Sequence, residues 1–112
     1  MRPYEVMVIF NPELEDQAVR DAVDGSVKLI KGMGAEPGHI DFWGKRRLAY
    51  EINHKTEGYY VVLQAMSEPP AMAELHRTLS LSDDVIRHKV LRIPAEVYGP
   101  PKARQTADAT KE

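Results

Sequence analysis

The sequence contains no cysteine, which excludes a disulfide framework and any metal site built on thiolates. It also lacks an apolar run close to the roughly 20 residues that a membrane-spanning helix needs. The N-terminal segment turns acidic and reaches Pro12 before a signal-like apolar region can form. We therefore expect a protein of the reducing cytoplasm that makes no contact with membranes.

A strong excess of either charge is absent as well. Lys and Arg number 15 against 17 Asp and Glu, so the net charge is −2. This balance argues against a protein that coats nucleic acid over its whole surface, but it is compatible with a local basic patch. With 112 residues, 43% of them hydrophobic, the chain predicts one domain with its own core. We place this domain at 1–96 and a disordered tail at 97–112, because the end of the chain has no apolar periodicity.

The apolar pattern predicts six elements, which are strands at 4–10, 39–52, 59–66 and 85–93, a helix at 13–31 and a short helix opening at Glu68-Pro69-Pro70. Asn11 and Pro12 suit the N-cap and first position of the first helix. Its apolar stripe is expected to comprise Leu14, Ala18, Ala22, Val23, Val27 and Ile30. Residues 53–58 are expected to form a turn.

The element order β-α-β-β-α-β predicts an α+β, ferredoxin-like fold. Right-handed crossovers place the first and third strands in the middle of a four-stranded antiparallel sheet and the second and fourth at its edges. Both helices are expected to cover one face, which leaves the other face partly open to a partner.

Positive charge is concentrated on the two predicted edge strands. The cations are Lys45, Arg46 and Arg47 on one strand and Arg87, Lys89 and Arg92 on the other. The acidic residues gather instead in and before the first helix. Such segregation suits phosphate binding, although charged edge strands also prevent sheets from aggregating. The pattern alone leaves both interpretations open.

The segment Gly44-Lys45-Arg46-Arg47-Leu48-Ala49-Tyr50 carries three cations within a strand. Leu48 and Tyr50 share a parity, and we expect them to join the core while the cations and Ala49 form an outer surface. Arg46 has the same parity as Leu48. Either Gly44 marks a β-bulge or Arg46 lies near a rim of the sheet.

The titratable residues show no catalytic or metal-ligating pattern. The histidines His39, His54, His76 and His88 lie in different segments without metal-ligand spacing. There is also no Gly-rich phosphate loop and no Ser–His–Asp grouping along the sequence. We therefore predict no catalytic site, no metal, no cofactor and no small-molecule substrate.

Tyr59 and Tyr60 invite comparison with the RNA-recognition motif, which has the same element order and stacks bases on aromatics of its third strand. The match is partial, and tyrosines at such positions are more often core or interface residues. One alternative is therefore a free-standing module of this type that binds single-stranded RNA. A dimeric α+β barrel enzyme and a ligand-binding regulatory domain are further alternatives, because similar folds serve unrelated functions.

Five segments, with matching spacing, resemble the bacterial small-subunit ribosomal protein S six family: Met1-Arg2-Pro3-Tyr4-Glu5, Asn11-Pro12, Gly44-Lys45-Arg46-Arg47-Leu48-Ala49-Tyr50, Glu57-Gly58-Tyr59-Tyr60 and Val85-Ile86-Arg87. The resemblance spans 1–93, and the segment around Arg46 and Arg47 is its most specific part. It implies the fold given above and a structural, non-catalytic role in the small ribosomal subunit. It also implies a heterodimer with small-subunit ribosomal protein S eighteen, bound to the central domain of 16S ribosomal RNA at the platform.

Residue by residue, the resemblance assigns Arg2, Arg46, Arg47 and Arg87 to the family's basic positions that approach RNA or partner. Tyr4 and Tyr50 match the family as well, whereas Trp43, His88 and Lys89 inherit no role from it. Together with the other edge-strand cations, the expected RNA-binding or partner-facing residues are Arg2, Lys45, Arg46, Arg47, Arg87, Lys89 and Arg92.

Overall fold

The computed structural model describes residues 1–52 and 54–98. The strands are β1 (Arg2–Phe10), β2 (Glu36–Ile52), β3 (Lys55–Ser67) and β4 (Val85–Arg92), and the helices are α1 (Asp16–Gly32) and α2 (Pro69–Leu81). A short 3-10 turn, Ala95–Val97, follows β4. The predicted element order is confirmed. The tail was predicted at 97–112, and its residues from 99 onward lie outside the described ones. The disorder predicted for them therefore stays a prediction.

The four strands form one antiparallel sheet in the order β2-β3-β1-β4. The two central strands are therefore the first and third, as the crossover rule predicts. In the register of β1, Val6 lies opposite Leu63 of β3 and opposite Val90 of β4. This ferredoxin-like arrangement confirms the predicted fold class.

The core lies between the two helices and one face of the sheet. Alternate residues of β1 and β3 enter it, because neighbouring side chains of a strand point to opposite faces. Val6 and Val61 are among the most buried of these, and Leu75 of α2 packs against them from the helix layer with no exposed surface. We call the opposite face of the sheet, which the helices leave uncovered, the open face.

Helix α1 begins later than predicted. Asn11 does not cap the helix, because its side-chain oxygen accepts a hydrogen bond from the Glu13 N–H (3.0 Å) and its carbonyl accepts one from Leu14 N–H (3.1 Å). These bonds form a separate turn, and the helix starts at Asp16. The predicted apolar stripe is confirmed from Ala22 to Ile30, but it is wrong in the first turn, where Ala18 is exposed and Val19 is fully buried instead.

The β2–β3 hairpin is longer than predicted. Strand β2 begins at Glu36, and β3 begins at Lys55 within the segment predicted as a turn. Ile52 pairs with Lys55, and His54 has a positive φ of 64°, so the chain reverses within a very short connection. A reversal this tight requires left-handed backbone, which the pattern of polar residues at 53–58 does not specify.

The chain after β4 connects the two edges of the sheet. The Ile93 N–H donates a hydrogen bond to the Pro3 carbonyl (3.1 Å), beside β1. Tyr98 then reaches β2 at the far edge, where a Cβ atom added to Gly38 would lie only 2.4 Å from the Tyr98 hydroxyl. Burial, and secondarily the charge of Glu36, raises the pKa of Tyr98. Among the described residues, no helix is long and apolar enough to cross a membrane.

Candidate basic surface on the open face of the sheet

A β-bulge lies immediately before the cationic segment. Phe42 pairs with Val61 and Gly44 pairs with Tyr60, so Trp43 is an extra residue on β2. Gly44 has a φ of 84°, in the left-handed region that residues with a Cβ atom rarely adopt. The bulge therefore exists, and it shifts the residues that follow. Its consequence is that Arg46 pairs with Gly58 and lies on the open face.

Gly58 allows the end of the hairpin to pack closely on the open face. A Cβ atom at this position would lie 2.3 Å from Cγ2 of Ile9 and 3.5 Å from Cδ2 of Leu48. Leu48 is consequently buried, at 8% exposure. The prediction that Leu48 and Tyr50 join the core is right about the burial of Leu48, but it is wrong about where Leu48 packs and about Tyr50. Leu48 packs on the open face instead of under the helices, and Tyr50 is 63% exposed.

Tyr50 contacts the opposite edge of the sheet. Nη1 of Arg87, on β4, donates a hydrogen bond of 2.8 Å to the Tyr50 hydroxyl. Regular pairing of β2 with β3 is interrupted between Arg47 and Ile52, and this irregularity frees the hairpin segment for that contact. The link therefore joins β2 to β4 over the two strands that separate them.

A groove of about 260 Å³ lies beside this link on the open face. Its floor is apolar and consists mainly of Met7, Ile9, Leu48 and Tyr60, while its rim carries Tyr50, Arg87 and Lys89. We call it the open-face groove. An apolar floor with a cationic rim is the composition of a surface that buries a partner side chain and pairs with acidic groups around it.

An aromatic–cation stack lies next to the open-face groove. The rings of Trp43 and Tyr60 are nearly parallel, 6° apart in angle with centroids 6.0 Å apart. The Arg46 guanidinium carbon lies 5.5 Å from the Trp43 ring centroid, and the indole N–H donates to Asp41 (2.8 Å). Trp43, which inherits no role from the resemblance, therefore positions Arg46. In the sequence, the only sign of this contact between Trp43 and Arg46 is that an aromatic residue stands three positions before a cation.

All seven cations named from the sequence are exposed. The open face carries three of them, Arg46 from β2 and Arg87 and Lys89 from β4. Lys45 and Arg47 flank Arg46 on β2. Arg2 and Arg92 lie apart from this group, at the end of the sheet where β1 begins and β4 ends. The fold thus brings together cations that are about 40 residues apart in sequence and leaves two others distant.

The acidic residues in and before α1 lie in a different layer. Glu13, Glu15, Asp16, Asp21 and Asp24 are exposed along α1 or in the turn before it. Because α1 covers the opposite face of the sheet, these five carboxylates lie away from Arg46, Arg87 and Lys89, while the strand register places Glu5 and Asp41 on the open face with those cations. The described residues hold no group of three or more His, Cys, Asp or Glu side chains suited to a metal ion.

Tyr59 belongs to the core and not to the open face. It is 4% exposed, and its hydroxyl hydrogen-bonds to Asp16 at the start of α1. Burial raises the pKa of Tyr59, and the hydrogen bond and charge of Asp16 raise it further. Tyr59 therefore cannot stack on a base, which removes one of the two aromatics that the RNA-recognition interpretation needs.

One helix-covered face and one open face that carries Arg46, Arg87 and Lys89 define a domain of the ferredoxin-like class. The chain belongs to the ribosomal protein S6 family, whose model matches residues 3–92. It is 47% identical over 92 residues to the small ribosomal subunit protein bS6 of Desulforamulus reducens, covering 82% of this chain and 97% of that protein. It is 44% identical over 109 residues to bS6 of Saccharopolyspora erythraea, covering 97% and 90%.

Solved structures show the same fold. The chain resembles 30S ribosomal protein S6 from Thermotoga maritima with a TM-score of 0.77 and 21% identity, covering 99% of this chain and 98% of that one. It also resembles the C-terminal domain of the MgtC protein from Mycobacterium tuberculosis, with a TM-score of 0.56 and 16% identity over 85% and 90% of the two chains. A fold shared by two such different proteins does not by itself specify function.

Family membership does specify the class of function. Ribosomal S6 proteins are structural, non-enzymatic components of the small ribosomal subunit in the cytoplasm, and this chain is one of them. The predicted family, the absence of enzymatic activity and the cytoplasmic location are thereby confirmed. The barrel-enzyme and regulatory-domain alternatives are set aside on the same ground.

Proposed function

We propose that the chain binds the central domain of 16S ribosomal RNA, at the platform, as a heterodimer with small-subunit ribosomal protein S eighteen. The open-face groove takes apolar and acidic groups of the protein partner. The cations of the β2 edge, with Arg46 and Arg47 foremost, contact RNA phosphates. This proposal assigns the apolar floor to protein because a phosphodiester backbone gains little from covering apolar surface.

The observation that carries the proposal is the placement of Arg87 and Lys89 at the rim of an apolar groove, with Arg46 on the same sheet face, which α1 and α2 leave uncovered. Three exposed arginine and lysine side chains on one face create a local positive potential. Arginine also offers the planar pair of donors that matches a phosphate or a carboxylate.

The charge balance supports the need for a partner. A net charge of −2 and a small number of clustered cations provide few phosphate contacts, and affinity for RNA grows with the number of contacts. A basic partner seated on the open face would extend the positive surface. We therefore expect weak RNA binding by the isolated chain and strong binding by the pair.

Gel-shift titration of a 16S central-domain fragment, at one fixed salt concentration, tests this. The expected result is a weak shift with the chain alone and a much tighter one with ribosomal protein S eighteen present. Tight binding to arbitrary single-stranded RNA without the partner would contradict the proposal and would favour the free-standing RNA-recognition module.

A pair of charge reversals locates the surface. Lys89→Glu alters the rim of the open-face groove, and we expect it to weaken the partner-dependent complex. Lys28→Glu is the matched control, because Lys28 is 77% exposed on α1, where its ammonium pairs with Asp24 (3.1 Å). Equal losses from the two reversals would show that overall charge, and not the open face, governs assembly.

A further inference from the structure

Two histidines from different elements meet on the helix side of the sheet, away from the open face. Nε2 of His88, on β4, lies 2.8 Å from Nδ1 of His76, on α2. The ring centroids are 4.7 Å apart and the ring planes are inclined by 57°. The two residues are separated by 12 positions, which is why ligand spacing in the sequence gives no sign of the pair.

The backbone on both sides of this pair is held by buried neighbours. His88 lies opposite Val8, and Val90 of the same strand packs against the core. On α2, Leu75 and Leu79 are buried on either side of His76. The imidazoles are therefore brought together by packing that does not depend on them, so the site is largely formed before any ligand arrives.

We propose that His76 and His88 form a binding site for one divalent transition-metal ion of the Zn²⁺ or Ni²⁺ type. Imidazole nitrogen suits these metals, whereas Mg²⁺ prefers oxygen ligands. The metal takes the place of the proton that the two nitrogens now share. Waters complete its coordination, because the described residues offer no third His, Cys, Asp or Glu at the pair.

The geometry requires only a small adjustment. Two nitrogens at zinc-bond lengths in a tetrahedral shell lie roughly 3.3 Å apart, so the rings must separate by about half an ångström. His76 is exposed, and its side chain can make this movement without disturbing the core. One imidazole must also move its proton to its other ring nitrogen, so that both facing nitrogens present lone pairs.

The surroundings of His88 favour its neutral imidazole over the protonated form. Burial lowers the pKa of His88, and the neighbouring His76 lowers it further. A neutral imidazole is the form that binds metal. A bound ion would join α2 to the edge strand β4, and since it binds only the folded arrangement it would stabilise the native chain.

The test uses the full chain without RNA or partner, so its outcome does not depend on the proposed function. Calorimetric titration with ZnCl₂ and with NiCl₂ should show one saturable site per chain, and thermal melts should shift upward with either metal but not with MgCl₂. His76→Gln and His88→Gln should each weaken binding by at least about tenfold and remove the melting shift. His39→Gln is the matched control, because His39 is exposed on β2.

Three results would overturn the proposal. The first is the absence of saturable Zn²⁺ or Ni²⁺ binding by the wild-type chain. The second is His76→Gln binding the metal as tightly as the wild type. The third is His39→Gln abolishing metal binding as completely as His76→Gln. His76→Gln keeps the test decisive if His88→Gln unfolds the chain, because the exposed His76 side chain is not part of the core.

Discussion

The Arg87 guanidinium on β4 donates a hydrogen bond to the Tyr50 hydroxyl on β2, although these strands occupy opposite edges of the sheet. The two residues are 37 positions apart in the chain. Their contact holds the end of the β2–β3 hairpin against the open face, and it closes one side of the open-face groove. A surface built from distant segments in this way exists only in the folded chain.

Removing that hydrogen bond should cost little stability, because both side chains are exposed. We expect Tyr50→Phe and Arg87→Met to show a coupling of about 0.5–1 kcal/mol in a double-mutant cycle measured by urea unfolding. The cycle of Tyr50→Phe with Lys89→Met should give a coupling near zero. Equal couplings in the two cycles would show that the bond does not hold the hairpin.

Gly58→Ala should destabilise the fold, because the new methyl group would overlap Cγ2 of Ile9. Overpacking of this kind costs about 1–3 kcal/mol. Adding Ile9→Ala should make the Gly58→Ala substitution less costly, since it removes the overlapping atoms. Gly25→Ala is the control: its Cβ would meet nothing within 4 Å in α1, and it should raise the free energy of unfolding by up to about 1 kcal/mol. A Gly58→Ala chain as stable as wild type would contradict the close packing described here.

Stability should fall at alkaline pH, in part through Tyr59. Burial and Asp16 raise the pKa of Tyr59 above the ordinary tyrosine value of about 10, so the folded chain keeps this proton at pH values where the unfolded chain loses it. The contribution is fully present below the unfolded pKa and is lost as pH rises through the folded pKa. Tyr59→Phe should therefore flatten the decline of unfolding free energy above pH 10, measured by urea titration. Part of the decline should persist, because the pKa of Tyr98 is also raised. If the unfolding free energy of Tyr59→Phe falls above pH 10 as steeply as that of the wild type, Tyr59 does not contribute to the alkaline loss of stability.

Truncation after Tyr98 should leave the melting temperature nearly unchanged, because the residues beyond it have no apolar face to bury. Truncation after Pro94 is the control. It removes Tyr98 and its contact with Gly38, and it should lower the melting temperature measurably. If truncation after Tyr98 lowers the free energy of unfolding by more than about 1 kcal/mol, the tail packs on the domain.

The sequence predicts the fold well because local pattern and global topology agree. Alternation along β1 and β3 indicates which side chains are buried, and the crossover rule then fixes the strand order. Prediction fails where a local hydrogen bond competes with the helix, as at Asn11, whose turn delays α1 to Asp16.

The site was harder to predict than the fold. The cations are visible in the sequence, and Gly44 signals the bulge that turns Arg46 to the open face. The burial of Leu48 and the contact between His76 and His88 depend on how separate elements pack. The apolar periodicity of the sequence does not indicate such packing. Trp43 was missed for the same reason, since its stacking on Tyr60 crosses from one strand to the next.

The double variant Arg46→Ala with Arg47→Ala tests the central claim, which is that cations of the β2 edge contact ribosomal RNA phosphates. Each neutralised phosphate releases condensed counterions, so lost contacts appear in the salt dependence of binding. The control is Lys28→Ala with Arg77→Ala, which changes the net charge equally but lies on the helix layer, where Arg77 pairs with Glu74 (3.1 Å). Both variants should melt close to the wild type, since exposed charges contribute little to stability.

The decisive measurement is the slope of log affinity against log salt for the complex of chain, ribosomal protein S eighteen and 16S central-domain RNA. For the Arg46 and Arg47 variant, we predict a slope that shrinks by roughly one to two units, with the control slope unchanged. An unchanged slope in the Arg46 and Arg47 variant would contradict the account, and loss of the protein partner alone would move these arginines to the protein interface.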